Sequence, residues 1–156
     1  YLNNNIVGGL DYSSPLINLA NIIMKKGALL KKEAIKLETD KKYDFVISHS
    51  VFHYFKDYDY AKKVLLKMIN KANKKVAIYD VNDFEKKSIY HKIRRRQMAE
   101  GEYEKKYKGL NHMFYKKQWF KDIAKEMGLK IIILDQTFKN YKNSSFRYNV
   151  IFELTK

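Results

Sequence analysis

The chain has 156 residues, 46% apolar and 31% charged, which suits a single globular domain that buries about 68–70% of its unfolded surface. No apolar run approaches the roughly 18 residues a membrane span needs, and no signal-peptide pattern opens the sequence. Cysteine is absent, which excludes disulfides and thiolate metal sites and fits a cytoplasmic address. The net charge is +15, from 32 Lys and Arg against 17 acids, a balance that raises a nucleic-acid partner. Only four of the 32 are arginine, however, and the lysines are scattered over every predicted helix face as a solvated coat.

Ile6–Leu10 reads as a strand. Ser14 as N-cap and Pro15 as first helical residue start a helix with Leu16, Ala20, Ile23 and Met24 on one face and Gly27 as its stop. Ala28–Lys31 is a short strand, and Tyr43–Ser48 (YDFVIS) is a compact apolar run expected to be a parallel strand buried on both faces. Ala61, Val64, Leu65, Met68 and Ile69 mark an amphipathic helix, after which Val76–Tyr79 is another buried strand. Residues 84–106 are charged and helical in pattern, with Ile89, Tyr90, Ile93 and Gln97 along one side. Gln118–Met127 is a helix that turns Phe120, Ile123, Ala124 and Met127 inward, and Ile131–Leu134 is a strand. The chain closes on an alternating strand in which Tyr148, Val150, Phe152 and Leu154 face the core. Strands alternating with helices predict one domain built on a mainly parallel sheet covered on both faces, with an antiparallel last strand.

The segments GGLDYSSPLINLA, YDFVISHSVFHYF and KKVAIYDVND, followed by a helix, a Gly, a strand and the alternating strand, resemble a class I S-adenosylmethionine-dependent methyltransferase of the small-molecule type. The resemblance covers most of the chain, from the family's second strand to its seventh. It implies a doubly wound Rossmann-like sheet of order 3-2-1-4-5-7-6 in the family's own count, with strand seven antiparallel. The family's first strand and its Gly-rich loop have no counterpart, so the resemblance implies a sequence lacking its N-terminal part. A fold without that strand leaves the edges on either side of it unpaired.

The resemblance carries a cofactor, S-adenosylmethionine, and a set of sites. Asp11 ends the first strand here and is expected to accept from both ribose hydroxyls, as an acceptor-only carboxylate can. The alternative for Asp11 is a cap on the following helix. Tyr12 is expected against the adenine, Glu33 at its amino group, and the Ala34 backbone N–H at a ring nitrogen; the alternative for Glu33 is a lysine-paired surface helix. Ser48 is expected at the methionine amino group. His49, His53 and Tyr54 then fall near the transferred methyl group, where a histidine suits proton removal from an acceptor; the alternative is a histidine packed under the next helix. Asp80 and Asp83 follow the next strand and are expected to orient substrate, with helix capping the alternative for Asp83. A helical cover at about 84–115 brings Arg94, His112 and Tyr115 to the substrate, and its arginines suit an anionic acceptor. Three consecutive arginines cannot all face inward on a helix. No metal site is expected.

The resulting expectation is methyl transfer to a small-molecule acceptor. The alternatives are an RNA methyltransferase, favoured by the charge, and a non-catalytic α/β binding protein, favoured by the absent Gly-rich loop.

Overall fold

A computed structural model describes residues 7–24, 27–109 and 112–154. Strand β1 (Gly8–Asp11) pairs in parallel with β2 (Ala28–Lys31), the two joined through helix α1 (Ser14–Ile23). Ile6, expected to open this strand, lies outside the described residues. A second sheet has the order β3-β4-β6-β5, built from β3 (Tyr43–His49), β4 (Ala72–Asn82), β5 (Lys130–Asp135) and β6 (Arg147–Glu153). β3 and β4 are parallel, and β6 runs antiparallel to both β4 and β5. The last strand alone therefore opposes its neighbours among the described residues, as its alternating pattern predicts.

Helix α2 (Tyr58–Lys71) opens on Asp57, whose carboxylate accepts from the Tyr60 N–H at 2.7 Å. It buries Ala61, Val64, Leu65, Met68 and Ile69, the five residues its spacing singles out. Helix α5 (Lys117–Glu126) buries Phe120, Ile123 and Ala124. Both helices pack on one face of the four-stranded sheet, against Val76 and Ile78 of β4 and Tyr148, Val150 and Phe152 of β6. Residues 84–115 contribute α3 (Lys87–Arg96) and α4 (Glu102–Lys106), in the region expected to cover the substrate. Among the described residues no helix is long and apolar enough to cross a membrane.

Several expected faces are different. α1 begins one residue earlier than expected, with Ser13 as its N-cap, and it buries only Ile17, leaving Leu16 and Ile23 largely in solvent. β3 is covered on one face only: Phe45 and Ile47 are 58% and 61% exposed. The register puts them on the same face as Ile132 and Leu134, both exposed, opposite the α2–α5 layer. Nothing among the described residues packs over that part of the sheet, so the expectation of two covered faces fails there. The predicted stripe over 84–106 is broken into two helices; Tyr90 is buried, whereas Ile89 and Gln97 face out. Met127 lies beyond the end of α5 and is exposed, because Gly128, at φ +64°, turns the chain away.

Candidate functional site

β1 and β3 each have a hydrogen-bonded strand on one side only among the described residues, and a cavity of about 480 Å³ lies between them. Its wall is drawn from three separate connections. Asp11 comes from the tip of β1, Ala34 from the turn after β2, and Ser48 and His49 from the end of β3. Ligands of open α/β sheets sit at the carboxyl ends of the strands, where these residues lie. At the far end the Tyr43 hydroxyl approaches Gly8 so closely that a Cβ there would overlap it.

The Asp11 carboxylate is half-buried, and its Oδ1 accepts from the Ser13 backbone N–H at 2.7 Å. That bond restrains the side chain, and among the described residues Oδ2 has no partner. The N-cap of α1 is Ser13, so this bond fastens Asp11 to the turn ahead of the helix and is not itself a helix cap. Tyr12 is 75% exposed and, like Glu33, is not part of the cavity wall. Glu33 is instead the exposed residue preceding the turn at Ala34–Lys36.

A second group of polar side chains lies beyond His49. The backbone is left-handed at Ser50 (φ +55°) and Asp80 (φ +63°), conformations that non-glycine residues adopt at a cost of about 1–3 kcal/mol. The Ser50 hydroxyl donates to Asp80 Oδ2 at 2.6 Å, and the Tyr141 hydroxyl donates to the same oxygen at 2.9 Å. The Asp80 N–H donates to the Asn149 side-chain oxygen at 3.0 Å. Arg147 Nε stands 3.8 Å from Asp80 Oδ1, both side chains being buried.

His53, Tyr54 and His112 are brought together, with ring centroids 4.2 to 5.3 Å apart. His53 is buried in the short turn Phe52–Tyr54, and burial, reinforced by the Arg147 charge, lowers its pKa to about 4. His112 is lowered in the same sense, by burial and then by Arg147. Arg94 points inward, donating to Asn143 at 3.0 Å, whereas Arg95 pairs with Glu104 on the surface and Arg96 is exposed.

Two residues expected at the substrate make contacts within the fold. Tyr115 is fully buried; its hydroxyl donates to the Phe52 carbonyl at 2.8 Å and its ring packs on Phe52, Trp119 and Phe120. Asp83 caps the turn at Phe84–Lys86 by accepting from the Glu85 N–H at 3.0 Å, with Lys117 4.0 Å away. Ser50, Asn82, Tyr141, Arg147 and Asn149 belong to the polar group but escape a reading of the sequence. The one available signal is that Arg147 stands alone in a chain whose other arginines form a single run.

No family model and no curated protein matches this chain. Solved structures do. Magnesium protoporphyrin IX methyltransferase from Synechocystis PCC 6803, with bound SAH, is 15% identical over 95% of this chain and 62% of its own, with a TM-score of 0.61. The N-methyltransferase NodS from Bradyrhizobium japonicum WM9, also with S-adenosyl-L-homocysteine, is 11% identical over 97% of this chain and 67% of its own, with a TM-score of 0.64. The plantazolicin methyltransferase BpumL, with a monoazolic desmethylPZN analogue and SAH, is 14% identical over 97% of this chain and 67% of its own, with a TM-score of 0.69. This chain thus spans 62% of the length of the first of these and 67% of the other two. Their superposition over nearly all of this chain, and the strand order β2-β1 beside β3-β4-β6-β5, show that the chain has the class I methyltransferase fold.

Proposed function

We propose that this chain takes part in methyl transfer from S-adenosylmethionine to a small-molecule acceptor, with the cavity between β1 and β3 as its cofactor site. The observation that carries this reading is the convergence of Asp11, Ala34 and Ser48 on that one cavity from three separate strand ends. The restrained Asp11 carboxylate would accept from the ribose hydroxyls. The Ala34 backbone would meet the adenine, and the Ser48 backbone the methionine amino group.

S-adenosylmethionine supplies a methyl group that is already electrophilic, so the protein's task is alignment and removal of the acceptor's proton. His49 borders the cavity and is our candidate for that proton. His53, with a pKa near 4, is a weaker base; as a neutral ring it suits holding an acceptor by a hydrogen bond. Tyr54, 62% exposed, packs its ring against His53. The BpumL neighbour, solved with a desmethylPZN analogue, favours a small-molecule acceptor over RNA, as do the dispersed lysines.

Isothermal titration of S-adenosylhomocysteine into the intact gene product tests the reading. Saturable one-to-one binding is expected. A folded sample that gives no heat would favour the non-catalytic alternative.

A further inference from the structure

On the methyl-transfer reading above, we infer that the acceptor carries an anionic group, a carboxylate or a phosphate, that docks on Arg147 beneath helix α3. Arg147 and Asn82 face each other across the β4–β6 pair, on the side of the sheet away from the α2–α5 core. Asp80 and His53 complete a group of four side chains, each at least 93% buried. All the buried side-chain atoms left without a hydrogen-bond partner among the described residues belong to these four: Arg147 Nε and Nη1, Asp80 Oδ1, Asn82 Oδ1 and His53 Nδ1. Native interiors seldom leave such atoms unpaired, so their concentration in one place calls for an explanation.

Charge decides what that is. Arg147 is flanked by Arg94, and both guanidinium groups lie over the ring of Tyr90, at 6.0 and 5.3 Å from its centroid. Among the described residues the one ion pair either of them makes is that of Arg147 with Asp80, whose Oδ2 is already occupied by Ser50 and Tyr141. Two guanidinium groups against one carboxylate leave one positive charge over. Burial is the main cause that lowers the two nearby histidines; beyond it, at His53 the effect of Arg147 outweighs the opposing effect of Asp80, and Arg147 and Arg94 both lower His112. A monoanion neutralises that excess and gives the unpaired guanidinium donors an acceptor. The group lies just below the surface, behind the half-buried side chains of Arg94, His112, Tyr141 and Asn143. Ser50, which bonds to Asp80, directly follows His49 of the cavity wall in the chain.

The test uses benzoate, phenyl phosphate and neutral benzamide, chosen because the surrounding wall is aromatic. Each is titrated into the intact gene product while the Arg147 Nε–Hε resonance is followed by NMR; with four arginines in the sequence, assignment by substitution is practical. A saturable shift with benzoate identifies a carboxylate site, and one with phenyl phosphate alone a phosphate site; either supports the inference. Arg147→Gln should weaken the responding anion about tenfold or more, the loss of a charge-assisted bond, while S-adenosylhomocysteine affinity stays within about twofold. If that variant does not fold, Arg94→Gln, whose side chain is only half-buried, should weaken the anion about threefold or more. Binding of S-adenosylhomocysteine with no response to either anion, or an equal response to benzamide, overturns the inference alone. An anion response without S-adenosylhomocysteine binding leaves the anion site standing and overturns the methyl-transfer reading.

Discussion

The Asp11 carboxylate and the Ser13 backbone N–H are 2.7 Å apart, so the residue at the tip of β1 is held by the chain it introduces. Asp11→Asn keeps an oxygen for that bond but replaces the free acceptor with an amide donor. The expected result is a loss of S-adenosylhomocysteine affinity of about tenfold or more, measured by calorimetry. The melting temperature should stay within about 4 °C of the parent, equivalent to about 1 kcal/mol for a domain of this size. A large fall in melting temperature with unchanged affinity would assign Asp11 to holding the turn at Ser13 alone.

The buried His53 makes stability pH-dependent. Its folded pKa, near 4, lies below the ordinary 6.5, so between those values the unfolded chain binds the extra proton. The contribution is therefore complete above about pH 6.5 and is lost as pH falls towards 4, up to about 3 kcal/mol. Urea unfolding at pH 7 and at pH 4.5 measures it. His53→Gln should show a smaller acid-induced loss than the parent, because the carboxylates common to both proteins cancel in the comparison. Equal losses in the two proteins would place His53 in contact with water.

Tyr115→Phe removes the hydroxyl that serves the Phe52 carbonyl in the core. An unfolding free energy lower by about 1–3 kcal/mol is expected from denaturant titration. S-adenosylhomocysteine binding should stay within about twofold, since the ring and not the hydroxyl shapes the surroundings. A selective loss of binding with unchanged stability would return Tyr115 to the site.

Legibility in the sequence followed from how local each burial is. The spacing of Ala61, Val64, Leu65, Met68 and Ile69 predicts the buried face of α2 correctly, and the alternation of Tyr148, Val150 and Phe152 that of β6, because the opposing surface is built from neighbouring elements of the same chain. Leu16, Ile23, Phe45 and Ile47 are equally apolar, yet their exposure depends on what else covers them. The position of Asp11 at the tip of β1 was legible because it ends a strand just before a helix start. Arg147 was not: alternation assigns it to the solvent side of β6, and only the fold of α3 and the bulge near Asp80 enclose it. Tyr115 shows the converse, a polar aromatic whose place in the core depends on the distant carbonyl of Phe52.

The central claim is tested most directly by a crystal structure of the intact gene product with S-adenosylhomocysteine. The ribose hydroxyls should lie about 2.5–3.0 Å from the Asp11 carboxylate, with the adenine beside Ala34 and the nucleoside filling the space between β1 and β3. A nucleoside bound elsewhere, with Asp11 still holding only Ser13, would contradict the account.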